Sequence, residues 1–215
     1  MRSCARLTSP ALALALASAV LSAGCSNSST SPAAPTASLS RPVVTLVDVA
    51  DGINVTAGYT GTWNWPGQSV TMPAGSGFGN IRFQWYTFQG GPAAFGNLYV
   101  LDREFLGLPG DLGPSTPGFV ARSERVADNQ YVFAPGVTLK GGTKYWFYGD
   151  AQGSFVHSFD TDTYAGGDLY ATGYHAQPFR KSQASGRMVA GTYVPPPPGV
   201  FVDANFKLQG SASGS

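Results

Sequence analysis

A chain of 215 residues with a net charge of +1 is sized for one domain plus a short extension. With only 12% charged and 13% aromatic residues it has the apolar surface to build a core, which excludes an ordinary disordered sequence. No basic cluster points to nucleic acid, and no stretch after residue 25 is long and apolar enough to cross a bilayer.

The chain opens with Arg2 and Arg6, followed by an apolar run at residues 11–21 (ALALALASAVL) that is too short for a membrane span. Residues 21–25 (LSAGC) come next. Small residues ending in Gly-Cys behind such a run resemble the lipobox of bacterial lipoproteins, although Ser22 stands where leucine is commoner. The resemblance implies a lipoprotein signal peptide at residues 1–24, cleavage before Cys25, and acyl chains on the Cys25 sulfur and its new amine. The membrane is then a partner through the N-terminal lipid, because several acyl chains anchor durably. An ordinary secretory signal cut nearby would instead leave Cys25 free. If Cys4 leaves with the signal and Cys25 is lipidated, no thiol remains, so the mature fold contains no disulfide in an oxidising compartment. The mature chain then carries eleven basic against twelve acidic residues. Ser26 is not the aspartate associated with inner-membrane retention. By that family rule the lipid sits in the outer membrane of a Gram-negative host, and otherwise on the outer face of the plasma membrane.

Residues 25–41 read as lipidated cysteine and flexible tether, since Ser, Thr, Pro and Ala dominate and cannot build a core. Strands follow, with 28 glycines and 16 prolines mostly between them as turns. Residues 43–49 (VVTLVDV) are apolar on both faces, as in a well-covered strand. Residues 68–72 (QSVTM) form a short strand ending at Pro73. Residues 80–88 (NIRFQWYTF) alternate with period two and put Ile81, Phe83, Trp85 and Thr87 on one face. Strands are also predicted at residues 96–105, 130–135, 137–140, 144–150 and 167–174. A last one at residues 200–210 (VFVDANFKLQG) follows a polyproline connection at 195–198. About eight to ten short antiparallel strands without helical periodicity predict an all-β domain at residues 42–210. Its form is a β-sandwich, jelly-roll-like, with a disordered tail at 211–215.

Motifs with chemistry are few. A nucleophile elbow, a P-loop and a dinucleotide fingerprint are all absent. His157 and His175 lack a zinc spacing and read as surface or loop residues. Glu104 and Glu124 each lie beside arginine and read as solvated ion pairs. Asp160, Asp162 and Asp168 stand close together, and an Asp-x-Asp start is how an EF-hand loop begins. Ala165 and Ala171 occupy the positions where that loop needs glycine and glutamate, so it is no EF-hand. A structural calcium ion at the edge of the sandwich is one reading. The other is a loop-to-strand turn, with Gly166 and Gly167 supplying unusual backbone angles. Trp63 and Trp65, two apart in an extended segment, share a face beside Asn64 and Gln68. They read as a ligand platform stacking on sugar rings, or as packing at the edge of a core. Four successive aromatics at 145–148 (YWFY) face both sides of a strand and read as central core.

From Gln68 onward, SVTMPAG, NIRFQWY, GNLYVLDREFLGLP, STPGFVARS, YVFAPGVTLKGGTKYWFYGD, YAGGDLY and DANFKLQG follow in order. Together they resemble secreted bacterial β-sandwich domains of the choice-of-anchor and galactose-binding-like group. The resemblance implies a sandwich outside the cytoplasm and transfers no catalytic residue. It also makes the Tyr-Ala-Gly-Gly turn a feature of the fold. The expected function is a lipid-anchored, extracytoplasmic, non-enzymatic module that binds a polysaccharide or another surface ligand. The alternatives are a structural or protein-interaction component of the cell envelope and a hydrolase whose site carries no familiar motif.

Overall fold

The computed structural model describes residues 41–50, 57–59, 64–87, 90–158, 161–172, 177–184, 187–195 and 198–213. The chain divides into two units, Met1–Leu39 and Ser40–Ser215, and every described residue lies in the second. In chain order its strands are β1 (Val44–Val49), β2 (Ala57–Tyr59), β3 (Pro66–Thr71), β4 (Phe78–Tyr86), β5 (Pro92–Ala93), β6 (Leu98–Leu101), β7 (Phe119–Arg122) and β8 (Arg125–Ala127). They continue with β9 (Gln130–Val132), β10 (Lys144–Gly149), β11 (Val156–Ser158), β12 (Leu169–Ala171), β13 (Arg180–Lys181), β14 (Arg187–Val189), β15 (Thr192–Val194) and β16 (Phe206–Ala212).

Two antiparallel six-stranded sheets pack against each other as a β-sandwich, as the strand pattern predicts. The first runs β1-β16-β4-β9-β8, with β5 on the end of β4, and the second runs β13-β12-β3-β10-β6-β7. Two ribbons, β2 with β11 and β14 with β15, complete the described strands. Alternation in β4 does what its sequence dictates: Ile81, Phe83 and Trp85 are fully buried, while Arg82 between them is exposed. Phe83 stacks on Phe147 of the opposite sheet (centroids 4.9 Å apart) and on Phe206 of the neighbouring strand (5.4 Å), with Trp85 edge-on at 4.6 Å. Each fully buried aromatic or aliphatic side chain of this kind contributes roughly 1.5–3 kcal/mol.

The second sheet is covered on both faces. In β10, Tyr145 and Phe147 join the core between the sheets. Trp146 and Tyr148 join a separate cluster on the outer face. Only Tyr145 and Phe147 of YWFY are therefore central core; on the outer face Tyr148 is buried and Trp146 half-buried, in a cluster with Phe105 and Phe179. Gly67 of β3 is required here, because a Cβ would collide with the ring of Tyr148 and crowd Tyr170. Gly167 is required for a stricter reason, since a Cβ there would run into the backbone carbonyl of Ser69.

Several boundaries differ from the sequence reading. β1 is an edge strand paired only with β16, and Val44 is 49% exposed, so its β-branched run is not covered on both faces. Residues 137–140 form no strand; Leu139 makes a single bridge to Phe78. β16 continues to Ala212, and the Ser213 N–H donates to Gly77 O, so the domain passes residue 210 and residues 211 and 212 belong to the sheet rather than to a tail.

Candidate functional site

Directly paired residues of neighbouring strands share a face. On the outer side of the second sheet this produces the row Lys181, Tyr170, Gly67, Tyr148, Tyr99 and Arg122. The next row is Ser69, Trp146, Leu101 and Phe119. The side chains gather into an aromatic layer of Tyr99, Tyr148, Tyr170 and Phe179, with Trp65, Phe105, Phe119 and Trp146 packed against it half-buried. Tyr148 contacts Tyr170, Phe105 and Phe179 at 5.7, 5.9 and 4.7 Å.

The loop after β6 folds back over one end of this layer. Its anchor is the Phe105 N–H, which donates to the Tyr148 hydroxyl at 3.1 Å. A second tie runs from the Phe179 N–H to Gly107 O at 2.9 Å. The loop also carries a carboxylate to the layer. Trp146 Nε1 donates to the Tyr170 hydroxyl (3.2 Å), which donates to Glu104 Oε1 (2.6 Å). Burial and the hydrogen bond to Glu104 push the Tyr170 phenol well above its usual range, so it remains a donor at any physiological pH. Glu104 is exposed and available on its other side. Its expected ion pair with arginine is not formed, because Arg103 bonds Asp102 at 3.1 Å instead. The chain Trp146–Tyr170–Glu104 therefore presents an indole edge and an oriented acceptor on one face. Sequence reading missed it, since its three members are distant in the chain: the register of β10, β3 and β12 sets Trp146 near Tyr170, and the loop after β6 brings Glu104 to them.

The residues expected to form a ligand platform are separated by the pleat. Trp65 belongs to the outer layer, with its Nε1 donating to Asp150 O at 3.1 Å. Gln68 points the other way and is fully buried. Its Nε2 donates to Asp203 Oδ1 (2.9 Å) and Ser69 O (3.0 Å), and its Oε1 accepts from the Ala204 N–H (2.9 Å). Gln68 is thus a core brace and offers no amide to a ligand. Asn64 is half-buried, and its carbonyl accepts from the Gly153 N–H. Trp63 lies outside the described residues, as do His175, Asp160 and Cys25.

The aspartate stretch is organised by a residue the sequence reading passed over. Asp203, fully buried in the segment before β16, accepts from the Thr163 N–H (3.1 Å) and the Tyr164 N–H (2.9 Å) on Oδ2 and from Gln68 on Oδ1. Burial first, and the carboxyl of Asp162 beside it second, together push its carboxyl up to about 7 against the lowering effect of the Gln68 and Tyr164 hydrogen bonds. Asp168 faces elsewhere and pairs with Lys181 at 2.8 Å. Among the described residues no three His, Cys, Asp or Glu side chains stand together as a metal site, and Asp162 and Asp168 serve different partners. His157 is half-buried in β11, and desolvation lowers the pKa of its imidazole, with Nδ1 2.6 Å from Ser158 O. No family model, curated protein or solved structure matches this chain.

Proposed function

We propose that this protein is a lipid-anchored, extracytoplasmic, non-enzymatic β-sandwich that binds a neutral polysaccharide on the outer face of its second sheet. The anchor at Cys25 rests on the lipobox-like sequence. The binding reading is carried by one observation: Trp146, Tyr170 and Glu104 are linked by hydrogen bonds across an aromatic sheet face with half-buried indoles. Sugar rings offer an apolar face that packs on an indole and hydroxyls that need oriented acceptors. A half-exposed tryptophan next to a fixed carboxylate meets both needs. The raised carboxyl of Asp203 does not favour a hydrolase, because its oxygens are committed to Gln68 and the 163–164 backbone.

Affinity electrophoresis against a panel of soluble polysaccharides, guided by a glycan array, tests this. Trp146→Ala should weaken retention by about thirtyfold, roughly the 2 kcal/mol typical of a central aromatic contact. Glu104→Gln should weaken it less and leave the fold intact, since the side chain is exposed. A blank array, or retention unchanged in Trp146→Ala, sinks the proposal. Leu106 and Leu108 beside this face, 54% and 42% exposed, favour a second reading as a protein-docking surface of the envelope. Crosslinking in intact cells that captures a protein partner while the array stays blank would select it.

A further inference from the structure

The outer face of the first sheet has the opposite chemistry. One cross-strand row is Asp48, Lys207 and Gln84, and the next is Thr45, Gln209, Arg82, Val132 and Arg125. In the first row charge is answered within the protein, since Asp48 bonds Lys207 Nζ at 2.9 Å and the Tyr86 hydroxyl at 2.8 Å. The second row is not answered. Arg82 and Arg125 flank Val132 on the same face, two strand spacings apart or about 10 Å between backbones. Neither guanidinium has a salt bridge among the described residues.

A third arginine joins them. Arg41 Nη1 donates to Ala212 O at 3.1 Å, which holds its guanidinium against the end of β16. Asn80 fixes the same corner. Its backbone is left-handed (φ 51°), at the bulge where β4 has one residue more than β16, and its Nδ2 donates to Ser211 Oγ at 2.8 Å. Arg41, Arg82 and Arg125 line one cleft of about 380 Å³, together with Asn80 and the carboxylate of Glu124. That volume lies in the range of small-ligand sites.

We infer that this cleft binds a phosphate group, carried by a lipid headgroup or by a soluble molecule. Three guanidiniums against one carboxylate leave two positive charges, and a phosphate monoester near neutral pH carries close to two negative ones. A lone carboxylate ligand would leave half of that charge unmatched. Planar guanidinium forks also suit tetrahedral oxyanions, to which they donate paired hydrogen bonds. A concave wall of net positive charge focuses the field on such a ligand before contact.

The test uses the full chain carrying Cys25→Ser, so that lipid at that position contributes nothing to membrane retention. Titration with inorganic phosphate in dilute chloride buffer, followed by calorimetry, should give saturable 1:1 binding. Arg82→Gln with Arg125→Gln should weaken it by about tenfold or more, as loss of two charge-assisted contacts requires. Glu124→Gln should tighten it. Arg82→Lys with Arg125→Lys keeps the charge and loses the forks, so it should bind with intermediate strength and guards against a fold defect in the glutamine pair. Sedimentation with phosphatidic acid vesicles, whose headgroup is a phosphate monoester, against phosphatidylcholine vesicles, separates the two sources. Phosphate binding with retention on the anionic vesicles assigns a lipid headgroup, and phosphate binding without retention assigns a soluble phosphate. No saturable phosphate binding, or binding equal in the glutamine pair and the parent, overturns the inference. Trp146→Ala should leave phosphate binding unchanged, so failure here is distinct from failure of the glycan reading.

Discussion

Asp203→Ala should destabilise the domain by about 3 kcal/mol, a fall of roughly 6–12 °C in melting temperature for a domain of this size. The reason lies in what the carboxylate holds. Two backbone N–H groups, of Thr163 and Tyr164, and the amide of Gln68 all converge on it. Without it each donor is stranded at a cost of about 1–3 kcal/mol, partly offset because a poorly solvated carboxyl is removed as well. The loop at 161–164 would lose its fixed point on the sandwich, and Tyr164 would lose the support that packs its ring against Phe206 at 5.7 Å. Asp203→Asn keeps the shape and one acceptor oxygen and should cost less. Chemical denaturation of the three proteins would decide the matter, and equal stability of Asp203→Ala and the parent would refute this account.

The same carboxyl makes stability depend on pH, with a defined sign. Its folded value, about 7, lies above the ordinary carboxylate range that applies to the unfolded chain. Between roughly pH 4 and 7 the folded state therefore binds a proton that the unfolded state has released. The stability linked to that proton is fully present below the unfolded value and is lost as pH rises through 7. Above that, the Asp203 carboxylate is held as a buried anion beside the carboxyl of Asp162, which disfavours it. Melting curves from pH 5 to 8 should show the parent losing more stability than Asp162→Asn, in which the neighbouring charge is gone. Parallel curves would mean that Asp162 does not raise Asp203.

Phe83→Ala should cost about 3–5 kcal/mol, the range for deleting a buried phenylalanine ring from a packed interior. Phe83 is fully buried and touches both sheets, through Phe147 on one side and Phe206 and Trp85 on the other. Close-packed interiors do not collapse fully around a missing ring, so the loss includes a cavity as well as transfer. Phe83→Leu fills much of the volume and should cost under about 1.5 kcal/mol. Thermal melts of both variants check this, and a loss below that of Phe83→Leu in the alanine variant would refute the central role of the ring.

How much of this was legible in the sequence follows from the range of each interaction. Alternation in residues 80–88 is local, and it correctly placed Ile81, Phe83 and Trp85 in the core. The sandwich itself followed from such local patterns and their Gly/Pro punctuation. Edge position is not local, so the apolar run at 43–49 looked like a covered strand although β1 pairs on one side only. The site residues depend still more on register. Gln68 and Trp65 look like neighbours, yet the pleat sends one into the core and the other to the outer face. Glu104 looked like a partner for Arg103 until Tyr170, 66 residues away, took its carboxylate. Asp203 left one readable trace, a carboxylate in an otherwise apolar run (VFVDANF), which is where an acid is worth suspecting of burial.

The two sheets turn unlike surfaces outward, one of aromatic rings and one of guanidiniums, with the shared core between them. Face-to-face sheets lie about 10 Å apart, so two ligands held on the two outer faces would be separated by little more than the thickness of the domain. Neither ligand would obstruct the other. With both proposed ligands bound, the molecule would act as a rivet, gripping a sugar chain with one side while the other grips phosphate, and joining two materials that have no affinity for each other.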